Sequence, residues 1–255
     1  MSVLTVQNLT KVYRPRFGGK PCTALDNVTF HVEEGEFVGI MGPSGAGKTT
    51  LLNVIATIDT PSSGSVTIGS DVITELREPA LSAFRREHLG FIFQDFNLLD
   101  TLSLRENIAL PLVLARVPSG TVDQRVHAAA ASLGIDHLLD KYPYEVSGGE
   151  RQRTAAARAI VGGARLVLAD EPTGALDSRS SSELMGRLTE LNENAAATIM
   201  LVTHDPFAAS YCQRILFIRD GRLSQEIHRT DGRRAFYDRI LEALATFGDD
   251  SHDVQ

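Results

Sequence analysis

An α/β fold is the class the sequence predicts: a mixed sheet core, an antiparallel β patch near the N-terminus and a helical insertion. Three observations predict it. The run EFVGIM at 36–41 is continuously apolar, as in a strand buried on both faces, and it ends at Gly42 shortly before a stretch of helical spacing. The last third alternates strand-like runs with helix-like ones. Between them, roughly 78–163 carries mostly helical patterning.

In chain order, VLTVQNLTKVY and VTFHV show the two-residue period of half-buried strands. KTTLLNVIATI has helical spacing, DTPSSG breaks it, and SVTIG resumes as a strand. EPALSAFRRE opens like a helix with proline in its first turn. SLRENIALPLVLA and VDQRVHAAAASLG continue as helix, with Pro111 and the VPSG at 117–120 expected to interrupt them. RLVLAD reads as a strand, SRSSSELMGRLTELNE as a helix and TIMLVT as a strand. HDPFAASYC opens a helix with Asp205 as N-cap and Pro206 in first position. RILFIRDGRLSQEI reads as a hairpin around Asp220-Gly221. RRAFYDRILEALATF closes the chain as an amphipathic helix whose stripe of Phe236, Ile240, Leu244 and Phe247 suits core packing. One domain is expected over 1–247, with a helical subdomain inserted at about 95–163 and a disordered tail at 248–255.

The 255 residues suffice for one large α/β domain with a substantial core. A net charge of −7 argues against a nucleic-acid partner, so any polyanion must be held by a local site. The two cysteines, Cys22 and Cys212, are far apart, which suits free thiols in a reducing cytoplasm better than a disulfide scaffold or zinc site. The N-terminus has no signal-peptide pattern, and no apolar run approaches the roughly 20 residues of a membrane-spanning helix. Work at a membrane would therefore go through a partner.

GPSGAGKTT at 42–50 matches the phosphate-loop pattern and lies between the buried strand and the helix that such a loop requires. Its glycines let backbone N–H groups form a nest for phosphate oxygens, and the helix N-terminus points the same way. Lys48 supplies a mobile charge for β and γ phosphates, and the Thr49 hydroxyl is the expected Mg2+ ligand. Downstream, LVLADEP ends a strand in Asp170 and Glu171. Strand ends face the ligand crevice of open α/β sheets, so Asp170 can orient Mg2+ and Glu171 can accept a proton from an attacking water. The alternative is a capping or solvated acid pair.

VSGGERQR at 146–153 has the grammar of a second anion-binding turn. Ser147 and Glu150 stand at capping-box spacing, which alone accounts for a well-started helix. Gly148 and Gly149 are more than a capping box needs and suggest close approach to the backbone, with Arg151 and Arg153 nearby. Since one ATP already has its cradle, this turn would serve the ATP held by another copy. Two chains head to tail would then enclose two nucleotides and close as a two-fold dimer.

Taken together, these motifs resemble the ABC-type ATPases, nucleotide-binding subunits of membrane transporters, from Leu4 to about Leu223. The resemblance implies a P-loop NTPase fold of ABC type. Under it, Gly42, Pro43, Ser44, Gly45, Ala46, Gly47, Lys48, Thr49 and Thr50 form the ATP loop, and Tyr13 resembles the residue that stacks on adenine. Gln94 in FIFQDFNLL resembles the glutamine that contacts Mg2+ and couples to the permease; Mg2+ would thus fall to Thr49, Gln94 and Asp170. Ser147, Gly148, Gly149 and Glu150 resemble the signature that touches ATP in trans, and Asp177 in GALD the loop that touches the other subunit. Glu171, Lys48 and His204, which resembles the histidine at the γ-phosphate, would be the catalytic set. One departure is Glu150, where glutamine is commoner. Both residue types serve at the third position of a capping box, and a carboxylate there would weaken ATP affinity slightly.

Softer stretches, among them LLNVIATIDTPSSG, FNLLDTL, DPFAASYCQRILFIRDG and RRAFYDRIL, resemble the lipoprotein-release, macrolide-export and bacitracin-resistance group, and most of all the bacitracin-resistance type. That resemblance implies a subunit at the cytoplasmic face of the membrane, attached to a permease with a large extracellular domain, sometimes with a sensor kinase, and energising resistance to antimicrobial peptides. The alternative function is an ATP-driven mechanical or signalling adaptor that moves no substrate. A soluble DNA-repair or translation ATPase fits less well, because the chain has no heptad coiled coil between its two motifs and only one ATPase unit.

Overall fold

The computed structural model describes residues 2–15 and 18–249, with side chains through 246. Two sheets share the chain. The antiparallel one has the order β2-β1-β4-β5, formed by β1 (Ser2–Tyr13), β2 (Cys22–Glu33), β4 (Ser63–Ile68) and β5 (Asp71–Val72). The larger one has the order β10-β9-β3-β8-β7-β6. Its members are β3 (Phe37–Met41), β6 (Leu89–Ile92), β7 (Leu166–Asp170), β8 (Ile199–Val202), β9 (Arg214–Arg219) and β10 (Arg222–His228). All its pairings are parallel except the β9–β10 hairpin at its edge. This is the predicted mixed core with an antiparallel N-terminal patch.

The parallel strands divide their side chains between two apolar layers. Phe37, Met41, Val167, Ala169, Ile199, Leu201, Ile215 and Phe217 pack into one. Val38, Ile40, Leu166, Leu168, Met200, Val202, Leu216 and Ile218 pack into the other, with the antiparallel sheet and α1 (Lys48–Ile55). Burial on both faces is why these strands are continuous apolar runs rather than alternating ones. The first layer is covered by α3 (Leu104–Leu114), α4 (Ser119–Ser132), α5 (Gly148–Ile160), α6 (Ser178–Ala195), the short α7 (Pro206–Ala209) and α8 (Arg233–Asp249), while α2 (Ala80–His88) lies beside β6. Phe236 and Ile240 are fully buried and Leu244 packs against them, so the terminal stripe is core. The side chain of Phe247 and most of the expected tail lie outside the described residues, although Gly248 and Asp249 still belong to α8.

Two expectations for the middle need correction. The stretch 78–163 contains a strand: LGFI pairs with β7 as β6 and forms the far edge of the parallel sheet. Pro111 does not interrupt α3 but lies inside it. Its missing N–H forfeits only the bond to the Asn107 carbonyl, and the helix ends within a turn. The VPSG stretch does fall at the break between α3 and α4, with Pro118 as N-cap of α4.

Asn107 has another use. It is fully buried, accepts from Leu99 N–H (2.8 Å) and donates to the carbonyls of Leu99 (3.0 Å), Leu102 (3.1 Å) and Ser103 (3.0 Å). One amide thus holds the turn that leads from Gln94 into α3. Asn107→Ala should lower stability by roughly 2–4 kcal/mol, because it orphans several buried backbone groups. A urea titration followed by circular dichroism would measure the shift in midpoint.

Candidate active site

Four loops leave the carboxyl edge of the parallel sheet side by side. The register aligns Ile40 with Val202, Val202 with Asp170, and Ala169 with Ile92. The residues just beyond are Gly42, Glu171, Thr203, His204 and Gln94, so the topology itself gathers groups from distant parts of the chain.

The loop at 42–47 is shaped by glycine where nothing else fits. Gly42 (φ 154°) has the Ile218 carbonyl oxygen where a Cβ would stand, and Gly47 (φ 105°), the N-cap of α1, has that of Ala24. Lys48 folds over this loop and donates from Nζ to the carbonyls of Gly42 (2.8 Å) and Pro43 (2.9 Å). Burial lowers the pKa of its amine, against the opposing pull of Glu171 and Asp170. The same crowding raises Asp170, chiefly through burial and then through the Glu171 charge, with Lys48 offsetting part of it. Lys48, Asp170 and Glu171 are therefore within electrostatic reach of one another.

Glu171 has φ 46°, a left-handed conformation uncommon outside glycine. Both its carboxylate oxygens are engaged: Oε2 accepts from Thr203 Oγ1 (2.9 Å), and Oε1 accepts from the His204 backbone N–H (3.0 Å) and lies 2.7 Å from His204 Nδ1. Thr203 was not singled out in the sequence, and its only signal there was its place between a buried strand and His204. The His204 side chain is 74% exposed, and among the described residues its hydrogen-bond contact is with Glu171. Gln94 lies against the backbone of Gly174, where a Cβ would come within 3.0 Å of its Cδ. This brings Gln94 beside the segment that follows Glu171.

The oxygen-rich set of Thr49, Gln94 and Asp170 suits a hard cation. Among the described residues, Asp170 and Thr49 accept no side-chain hydrogen bond that would compete for it, and the half-buried Asp170 carboxyl gains from a nearby positive charge. No group of three or more His, Cys, Asp and Glu fit to hold a metal occurs among the described residues. Mg2+, which often shares one or two protein ligands with substrate phosphates and water, needs none.

Tyr13 stands at the end of β1, 42% exposed, with its hydroxyl donating to Asp59 (2.7 Å) and Lys11 Nζ 4.8 Å from its ring centroid. Burial and the Asp59 bond raise its pKa. One face of the ring is thus engaged by Lys11, and Asp59 fixes its tilt; neither residue was read from the sequence as part of the site.

The Ser147–Glu150 turn stands apart: no hydrogen bond or ion pair joins it to the loop at 42–50 among the described residues. It is a complete capping box, with Ser147 N–H and Oγ donating to Glu150 Oε2 (2.7 and 2.8 Å) and Glu150 N–H donating to Ser147 Oγ (3.3 Å). These bonds, the backbone one first, hold Glu150 below the usual carboxylate range. The carboxylate at 150 is thereby turned onto its own helix cap. Both arginines lie near this turn: Arg153 is buried, paired with Glu183 (2.9 Å), and its charge helps lower Glu150, while Arg151 lies over the Phe96 ring at 5.0 Å. The two glycines also differ. A Cβ at Gly149 would come 2.8 Å from Ser180 Oγ, so packing against α6 accounts for that glycine. At Gly148 the nearest atoms are 3.8 Å away, so packing within the chain does not require glycine there. Asp177 caps α6 by accepting from the N–H groups of Arg179 (2.9 Å) and Ser180 (3.0 Å), and these bonds, that of Ser180 first, lower its pKa.

Comparison with known proteins places this arrangement. The family model described as ABC transporter matches residues 25–174. The chain is 52% identical, over its whole length and 98% of the relative, to the uncharacterized ABC transporter ATP-binding protein YvcR of Bacillus subtilis. It is 47% identical, over 99% of its length and all of the relative, to the bacitracin export ATP-binding protein BceA of Halalkalibacterium halodurans. Among solved structures, the dimeric post-hydrolysis state of the cassette MJ0796 of Methanocaldococcus jannaschii, bound to ADP and Pi, superimposes with a TM-score of 0.80 at 36% identity, over 89% of this chain and 99% of that one.

The two glycines of the turn give a direct test. Gly149→Ala should destabilise the chain by roughly 1–3 kcal/mol through overpacking against Ser180, while Gly148→Ala should leave the melting temperature of the nucleotide-free protein near wild type. Differential scanning fluorimetry distinguishes the two.

Proposed function

The chain belongs to the ABC transporter family, and from that membership we propose that it energises a membrane permease that confers resistance to bacitracin-like antimicrobial peptides. It binds ATP and is an ATPase. For the peptide class, the supporting observation is the end-to-end similarity to a bacitracin export subunit.

The geometry supports the following division of labour. The loop at 42–50 binds the phosphates of ATP through its backbone N–H groups, with Lys48 exchanging the carbonyls of Gly42 and Pro43 for phosphate oxygens. Tyr13, steadied by Asp59, offers its ring to adenine. Thr49, Gln94 and Asp170 would hold Mg2+, which would supply neutralisation of the phosphate charge. Glu171 accepts the proton of the attacking water, and Thr203 keeps its carboxylate aimed at the crevice. His204 leaves Glu171 Oε1 to meet the γ-phosphate, a swing that its exposure permits. Ser147, Gly148, Gly149 and Glu150 close on the ATP of a second copy, with Asp177 beside that interface. The unneeded glycine at 148 supports this, because the space it leaves open is on a free helix N-terminus.

No helix among the described residues is long and apolar enough to cross a membrane. The permease, with a large extracellular domain and in some systems a sensor kinase, would hold the chain at the cytoplasmic face. Its contact would be the groove of about 380 Å³ lined by Leu89, Phe91, Phe93, Leu110, Pro111 and Leu114, where the strand that leads to Gln94 meets α3. A cytoplasmic helix seated there would act on the helical subdomain at about 95–163 and on Gln94 together.

Glu171→Gln should reduce phosphate release by about 10²- to 10⁴-fold while ATP still binds, and should abolish peptide resistance in cells. Tagged Glu171→Gln protein, extracted in mild detergent with ATP and Mg2+, should co-purify a multi-span permease. Unchanged resistance in that variant, or recovery of soluble partners alone, would overturn the transporter assignment.

A further inference from the structure

Gln152 lies in the second turn of α5, five positions after Ser147, and is fully buried. Its Nε2 donates to two backbone carbonyls, of Phe93 at 2.9 Å and of Pro172 at 2.7 Å. Phe93 immediately precedes Gln94, and Pro172 immediately follows Glu171. A primary amide has two N–H donors, and here each is committed to a different loop.

The rest of the surroundings points the same way. Gln152 Oε1 is buried without a hydrogen-bond partner. An apolar side chain of this shape would fill the same space without an orphaned acceptor, so the amide is retained for its two donors. Farther along α5, Arg158 donates to the carbonyls of Asn97 (2.6 Å) and Phe96 (2.9 Å), two successive residues in left-handed conformation at φ 49° and 60°. Gln94 and Gly174 are in contact, so the loops that Gln152 joins also touch directly. One helix therefore carries the Ser147–Glu150 turn at its N-terminus and, one turn later, holds both the Gln94 loop and the Glu171 loop.

We propose that Gln152 is a positioning residue for ATP hydrolysis: it sets the placement of Gln94 relative to Glu171 and moves both when the N-terminus of α5 shifts. It touches neither ATP nor the reacting atoms. Because its two bonds go to the loops that carry Gln94 and Glu171, and none among the described residues goes to the loop at 42–50, its loss affects turnover rather than ATP binding. The proposal rests on the ATPase assignment above, since it concerns the residues that act on the attacking water.

The test is steady-state ATPase kinetics of the full chain together with equilibrium ATP binding per chain. Gln152→Met keeps the shape and removes both donors. Its kcat should fall by about 10- to 100-fold, the loss expected when a catalytic group is displaced by an ångström or less, with ATP affinity and binding stoichiometry within about twofold of wild type. Gln152→His restores one donor and should recover part of the loss. Gln152→Glu, which keeps the length and replaces donors by acceptors, should be at least as slow as Gln152→Met. Wild-type turnover in Gln152→Met or Gln152→Glu overturns the proposal. So does a parallel loss of ATP binding and turnover, or failure of both variants to fold, because either result makes Gln152 a framework residue only. Absence of Glu171-dependent hydrolysis in the wild-type chain would instead overturn the ATPase assignment itself.

Discussion

Parallel register is the constraint on which the rest depends. β3, β8, β7 and β6 are aligned so that their carboxyl ends lie on one edge, and each contributes its chemistry within a few residues of that edge. A slip of one residue in β7 would exchange its two faces, send Val167 and Ala169 to the layer of Leu166 and Leu168, and turn the side chains at its end the other way. The apolar layers on both sides make such a slip costly. The same burial that stabilises the fold therefore fixes Asp170 and Glu171 opposite Thr203 and His204, and no separate device is needed to bring them together.

A chain with net charge −7 holds polyphosphate by geometry at short range. Two carboxyl groups face one ammonium at the cradle, and burial works against charge on both Lys48 and Asp170. The acids gain from nearby positive charge and the amine from nearby negative charge. Polyphosphate with a divalent cation would supply both at once, so each would bind better in the presence of the other. Glu171 is held differently, by Thr203 Oγ1 on one oxygen and by the His204 N–H and ring on the other.

The parts of this arrangement that the sequence displayed are those with short, periodic or compositionally sharp signals. Continuous apolar runs gave β3, β7 and β8, and the glycine spacing gave the cradle. β6 escaped because four residues between a charged helix and Gln94 are too few to establish a period, and only pairing with β7 makes them a strand. Pro111 misled because its cost depends on position, and near a helix end little remains to be broken. Adjacency in sequence places Arg153 by the anion turn, but its pairing with Glu183 on α6 exists only once the helices pack. Asp59 and Gln152 have no local signature, and Thr203 has only its place before His204. Each acts through partners between 20 and 59 positions away, and such pairings exist only once the sheet has formed.

Glu171 shows how backbone and chemistry are joined at this edge. A strand that simply continued beyond Asp170 would alternate, sending the next side chain to the opposite face. The left-handed turn at Glu171 breaks that alternation, so two successive acids can serve one crevice. The conformation costs of order 1–2 kcal/mol for a residue with a Cβ. It is held by bonds on both sides: Glu171 N–H donates to the Val202 carbonyl (2.8 Å), and the Glu171 carbonyl accepts from Gly174 N–H (3.0 Å). The first ties the strained residue to β8, which also delivers Thr203 and His204; the second ties it to the segment against which Gln94 rests. The strain at Glu171 is thus stabilised by the same two loops that its carboxylate must work with, so a displacement of either loop reaches the carboxylate through the main chain as well as through the side chains.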